Sequence, residues 1–242
     1  MLVGGLNVTV YGPLENDTCL FWLHGRTMDQ DRMKNICTLI REHMEEVSVV
    51  TMDLPNHGSR LVDEKRNEGY PQNTMHHIDM LGMRIEAMSD VQVIKALMPL
   101  YGMVYDKFAI GGVSMGGHIA LHASRFKWVK WCVGLLGALD QVQLMRNRQG
   151  DRNFSSLYEE TLQEWNPVGS LGSQPILLAC GLEDDLVSPS CNVLHDAFVN
   201  VTYKTYPVGH RVCKKMLLDM VDWMKMQQNA LSNCVESPQV NK

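Results

Sequence analysis

Short, nearly continuous apolar runs alternate along the chain with longer stretches in which apolar positions recur every three or four residues. The runs are 18–23 (TCLFWL), 47–52 (VSVVTM), 107–113 (KFAIGGV), 129–136 (VKWCVGLL), 175–180 (PILLAC) and 200–206 (NVTYKTY). They are of strand length, rich in β-branched or aromatic side chains, and bounded by polar residues. Such runs predict strands covered on both faces, as in a parallel sheet. The intervening stretches predict helices over 29–46, 75–99, 115–126, 189–198 and 211–228. In the first, Met33, Ile36, Cys37 and Ile40 share one face; in the last, Val212, Met216, Met220 and Trp223 do. Most of the 17 methionines lie on stripes of this kind, which gives them a packing role rather than a cofactor or metal role.

Alternating strands and helices predict an α/β fold, a mostly parallel, doubly wound sheet of about six strands or slightly more. A single domain over 1–242 accounts for the whole pattern. The short start before residue 18 predicts that antiparallel N-terminal strands are trimmed, and the polar tail 229–242 is expected to fray. Two stretches break the rhythm: 59–74, polar with a Gly-Tyr-Pro turn, and 140–168, too long for a simple connection. The second mixes apolar residues, among them Phe154, Leu157 and Trp165, with many charges. It predicts a small helical cap with those three side chains lining a substrate pocket.

Composition narrows the function. Lys and Arg number 22 against 27 Asp and Glu, for a net charge of −5, which argues against a nucleic-acid partner. No apolar run approaches the roughly 18 residues a membrane span needs. The N-terminus lacks the charged head and apolar stretch of a secretory signal. Seven cysteines form an odd set with no C-x-x-C pair, and several sit inside apolar runs, as expected for thiols in a reducing compartment. Four N-x-[ST] sequons, at Asn7, Asn16, Asn153 and Asn200, pull weakly towards secretion. The expected location is cytoplasmic.

Chemistry concentrates at Gly112-Val113-Ser114-Met115-Gly116, a G-x-S-x-G between the strand-like FAIGGV and the helical MGGHIALHASRF. A nucleophilic serine needs a sharp strand-to-helix turn that lifts its hydroxyl clear of the backbone, and small neighbours to make that turn possible. The bland reading is a glycine-rich turn with an idle serine; the strand–turn–helix context favours Ser114 as nucleophile.

With that motif the chain resembles the α/β-hydrolase superfamily over about residues 18–228. His24-Gly25-Arg26, just after a strand, is similar to the family's HG oxyanion loop, and MDLPNHGSR (52–60) resembles its D-x-P-G-H-G segment with Asn56 in place of glycine. Arg60 is similar to the prolyl-oligopeptidase-like and dienelactone-hydrolase-like branch. The resemblance implies an oxyanion hole built from the main-chain N–H groups of Arg26 and Met115. It implies loop-shaping roles for His24 and His57. The family order Ser…Asp/Glu…His leads to GLEDDLVS, where register against Gly181 and Val187 selects Asp184, with Glu183 and Asp185 as close competitors. His210 follows the last strand, where the general base belongs. His118, His122 and His195 fall on helices and are read as solvated or partly buried, and His76-His77 with Asp79 as no metal site.

The implied function is a serine hydrolase that cleaves a small to medium carboxylic ester or thioester through an acyl-enzyme, with a small-molecule substrate, no cofactor and no metal. A peptidase or amidase of the same fold and a non-catalytic ligand-binding member are the alternatives.

Overall fold

The computed structural model describes residues 1–64, 74–149 and 156–233. Eight strands form one sheet: β1 (Leu2–Val3), β2 (Leu6–Tyr11), β3 (Thr18–Leu23), β4 (Val47–Met52), β5 (Lys107–Val113), β6 (Val129–Leu135), β7 (Ile176–Gly181) and β8 (Val201–Tyr206). Their order across the sheet is β1-β2-β4-β3-β5-β6-β7-β8, and β4 to β8 pair in parallel. The six expected strands are all present.

The N-terminus departs from expectation. β1 and β2 form an antiparallel hairpin through Gly4 and Gly5 (φ 58° and 84°), and β2 adds antiparallel to β4. The cause is local. A two-glycine turn supplies positive φ at no steric cost, and Leu6, Val8 and Val10 alternate with polar residues in the pattern of an edge strand with one wet face. The stretch was missed because the expectation rested on continuous apolar runs.

Strand side chains divide with period two between two cores. Cys19, Phe21 and Leu23 of β3 face one core, with α2 (Thr74–Leu97) and α3 (Met115–Ala123). Leu20 and Trp22 face the other, with α1 (Lys34–His43) and α6 (Lys214–Asn233). The methionine stripes are packed as expected: Met33, Met216 and Met220 are all buried. α6 runs to Asn233, past the start of the expected fraying, because buried Gln228 donates from Nε2 to Thr18 Oγ1 at 2.8 Å. Residues 234–242 lie outside the described part.

Within 140–168 the chain forms α4 (Gln141–Gln149) and α5 (Ser156–Glu164), which pack on each other. Arg146 Nη2 meets Glu159 Oε1 at 2.5 Å across them. Pro189–Ala197 is a 3-10 helix rather than the expected α-helix, opened by Ser188, whose side chain accepts from Ser190 N–H. The six described cysteines are free thiols, five of them buried. Burial pushes the Cys37 thiol up to about 12, so it stays protonated.

Candidate active site

The parallel sheet brings the C-terminal ends of β3 and β5 side by side, Leu23 opposite Gly112. β3 lies between β4 and β5, so the chain leaves it in one direction and returns on the other side. That switch point is where open α/β sheets place their ligands. β5 then turns sharply into α3. Ser114 takes φ 54° and ψ −114°, a conformation that non-glycine residues rarely hold. Its N–H donates to Leu135 O at 2.8 Å, tying the turn to β6. The turn closes because Gly112 and Gly116 have no side chains: a Cβ on Gly116 would lie 2.2 Å from Leu23 O. Ser114 is partly exposed between buried neighbours.

His210 and Asp184 converge on this serine from β8 and β7. His210 Nε2 lies 2.8 Å from Ser114 Oγ, and His210 Nδ1 lies 2.7 Å from Asp184 Oδ2. Asp184 Oδ1 accepts the N–H groups of Leu186 (3.0 Å) and Val187 (2.8 Å), which fixes the carboxyl plane. A carboxylate only accepts, so Nδ1 carries the ring proton and Nε2 turns its lone pair to the serine hydroxyl. The Asp184 side chain is wholly buried, whereas Glu183 and Asp185 are exposed. The two loops touch at Gly181, where a Cβ would lie 2.2 Å from Val208 O. Glu183 N–H also donates to Val208 O at 3.1 Å.

The His24-Gly25-Arg26 turn lies against the same serine, since a Cβ on Gly25 would sit 3.5 Å from Ser114 Cβ. Met115 opens α3, so its N–H has no acceptor one turn back within the helix.

This architecture recurs among solved structures. The Thermus thermophilus protein TT1662 superposes with a TM-score of 0.73 over 94% of this chain and 95% of its own, at 16% identity. Est1E from Butyrivibrio proteoclasticus, with ferulic acid bound, gives 0.65 over 94% and 97% at 15% identity. Acyl-protein thioesterase 2 from Zea mays gives 0.53 over 91% and 98% at 18% identity. The chain has the α/β-hydrolase fold. No family model matches the sequence.

Within this fold the histidines divide by environment. His24 bridges the two loops at the end of the sheet: Leu54 N–H donates to its Nε2 at 2.9 Å, and its Nδ1 lies 2.7 Å from Gly25 O. Burial drives its pKa down to about 4. His57 packs on it with ring centroids 5.2 Å apart and is also shifted down by burial. Asn56 takes φ 59°, a left-handed turn that asparagine tolerates nearly as well as glycine, and its Oδ1 accepts from Val62 and Asp63 N–H. His118 and His122 are fully buried, not solvated, and burial takes His122 down to about 3.

These neutral imidazoles couple stability to pH. An unfolded histidine binds its proton near 6.5, whereas His24 and His122 stay neutral until about 4 and about 3. The unfolded chain therefore holds more protons in that window, so stability is complete above 6.5 and falls as the pH drops. Each such group costs about 1.4 kcal/mol per pH unit over its window. The urea midpoint is expected to be clearly lower at pH 5 than at pH 7; equal midpoints would contradict the buried, neutral assignment.

The three expected pocket residues are placed unequally. Phe154 lies outside the described residues, as does the side chain of Leu157 on α5. Trp165 stacks on His122, centroids 5.0 Å apart, under the Arg125 guanidinium. One supporting residue was not legible in sequence: Arg148 on α4 donates from Nη2 to Leu186 O at 2.9 Å, bracing the loop that carries Asp184. A group of His, Cys, Asp and Glu able to hold a metal is absent among the described residues. No helix there is long and apolar enough to cross a membrane.

Proposed function

We propose that the chain hydrolyses a carboxylic ester or thioester, with Ser114 as nucleophile, His210 as general base and acid, and Asp184 as its orienting partner. The observation that carries this reading is the continuous chain from Ser114 Oγ through His210 to Asp184 Oδ2, at 2.8 and 2.7 Å. His210 Nε2 takes the hydroxyl proton as Oγ bonds to the acyl carbon. The main-chain N–H groups of Arg26 and Met115 would hold the oxyanion, at the turn against Ser114 and at the start of α3, where the helix dipole adds positive potential. The tetrahedral intermediate expels the alcohol or thiol, which leaves with the proton from Nε2. Water then repeats the sequence on the acyl-enzyme, with His210 as base once more, and frees the carboxylic acid. Every step moves protons and acyl groups only.

The named activities of the structural neighbours, an esterase with bound ferulic acid and an acyl-protein thioesterase, lend support at the level of ester or thioester cleavage. We place the acyl limit at small to medium. α4 and α5 have nine residues each, about 13 Å of helix apiece, enough to cover a modest cleft. The test is a fluorophosphonate probe with peptide mapping, followed by linear acyl esters of graded length. Labelling is expected on Ser114, and kcat/KM to rise, peak at a short or middle length, and fall. Label on another serine would remove the nucleophile assignment, and a profile still climbing at long chains would remove the size limit.

A further inference from the structure

The loop that carries Asp184 is gripped from outside by α4. Arg148, in the last turn of that helix, lays one edge of its guanidinium on a single carbonyl: Nε and Nη2 donate to Leu186 O at 3.1 and 2.9 Å. Leu186 O belongs to the same peptide unit as the Val187 N–H, and that N–H donates to Asp184 Oδ1 at 2.8 Å. The peptide is trans, so its C=O and N–H point in opposite directions. A grip on the oxygen therefore fixes the direction of the N–H. Leu186 N–H reaches the same Oδ1 at 3.0 Å. With Oδ1 held twice, the carboxyl group has one orientation left, and in it Oδ2 lies 2.7 Å from His210 Nδ1. Polar contacts run unbroken from the Arg148 guanidinium through peptide, carboxylate and imidazole to the Ser114 hydroxyl.

Three further contacts seat α4 on this loop. Asp140 N–H, at the helix entry, donates to Cys191 O at 2.8 Å. Asn147 Nδ2 donates to Ser190 Oγ at 2.8 Å. Leu144 packs with Val187, Cys191 and Ala138 in one buried cluster. The two residues that hold Asp184 Oδ1 are thus both held by α4, Leu186 through Arg148 and Val187 through Leu144. Charge runs in a favourable order along the line. A cation at the carbonyl end polarises the peptide, which makes its N–H a stronger donor to the wholly buried carboxylate at the other end. Arginine suits the place because its fork is planar and rigid and its charge is permanent.

We propose that Arg148 is a positioning residue: it holds the Asp184 carboxylate in line with His210, so that the seating of α4 on residues 184–191 controls the chemical step rather than substrate binding. The inference rests on the reading of Asp184 as the orienting partner of His210. It gives α4 a role distinct from roofing a pocket. A helix that only covered a cleft would act on KM, and one that only braced a loop would act on Tm. Positioning acts on kcat, because a misaligned carboxylate leaves the bound substrate in place and spoils the proton transfer.

The test is Arg148→Met in the full-length protein, with 4-nitrophenyl butyrate as substrate. Methionine keeps an unbranched stem and removes every donor. kcat is expected to fall about 10- to 100-fold with KM held within about twofold, the cost of a misplacement of about 1 Å. Arg148→Lys can return one donor to Leu186 O and should recover part of the loss. Arg146→Met is the control: that exposed arginine of the same helix pairs with Glu159, so its variant should match the wild type. Arg148→Met added to Asp184→Asn should lower kcat by no more than about twofold further, since the two residues act as one unit. Proton NMR supplies a reading that needs no turnover. The downfield Nδ1–H resonance of His210, identified by its loss in Asp184→Asn, should weaken or vanish in Arg148→Met. An unchanged kcat in Arg148→Met, whatever its Tm, would overturn the positioning role and leave the hydrolase standing. A rise in KM alone, or losses that add in full in the double variant, would do the same. Loss of the resonance in Arg148→Met, in a protein that cleaves no ester, would support the positioning role and overturn the hydrolase reading.

Discussion

Replacing Ser114 with alanine is expected to lower kcat on any accepted ester by about 10⁴- to 10⁶-fold, the loss seen when a nucleophile that works as a unit with its base is removed. The remaining rate would come from the oxyanion donors and substrate binding alone. The fold should be indifferent, because Ser114 Oγ has one partner, His210 Nε2, and sits at a partly exposed position. A second substitution separates chemistry from strain. Ser114 holds φ 54° and ψ −114°, and alanine keeps the Cβ that makes this costly. Ser114→Gly removes the Cβ, so it should be as inactive as Ser114→Ala yet measurably more stable, by about 1–3 kcal/mol. Thermal melts of the two variants beside their kcat values check this. Wild-type turnover in Ser114→Ala would end the assignment, whereas equal stability of the two variants would show that the turn stores no strain.

How far the site could be read in the sequence follows from the range of the interactions involved. Ser114 was legible because its requirements are local: glycines at 112 and 116 and a strand running into a helix. His210 and Asp184 were legible through chain order after β8 and β7, since a parallel sheet delivers the ends of its strands to one edge. The choice among Glu183, Asp184 and Asp185 was open at the level of residue type. Burial and the N–H groups of Leu186 and Val187 distinguish them, and both belong to a loop packed under Gly181 and Val208. Arg148 was invisible because its contact with Leu186 spans 38 residues. The burial of His118 and His122 was missed for the same reason: the sequence places them on a helix, but the elements that cover that helix lie far away along the chain. The N-terminal hairpin is a different failure. Its Gly4-Gly5 turn and alternating β2 are local signals, overlooked in favour of the continuous runs of a two-sided sheet.

Asp184→Asn is expected to leave the fold intact and reduce kcat by about 10⁴-fold, the size of a wrong-tautomer effect. The asparagine amide can turn its NH₂ towards His210 Nδ1, while its oxygen keeps the N–H groups of Leu186 and Val187, at 3.0 and 2.8 Å, in place of Oδ1. A donor facing Nδ1 forces the ring proton onto Nε2, where it points at Ser114 Oγ and leaves no lone pair to accept the hydroxyl proton. The imidazolium formed on attack also loses its buried counter-charge. Asp184→Ala should be no more active and clearly less stable, because it strands two N–H groups beside a wholly buried position. Asp185→Asn is the control: that side chain is exposed, so its loss should stay within a few-fold. If Asp185→Asn proves the more damaging of the two, the orienting carboxylate has been misassigned. If Asp184→Asn keeps near wild-type turnover, the short Nδ1–Oδ2 contact is structural and His210 acts without it.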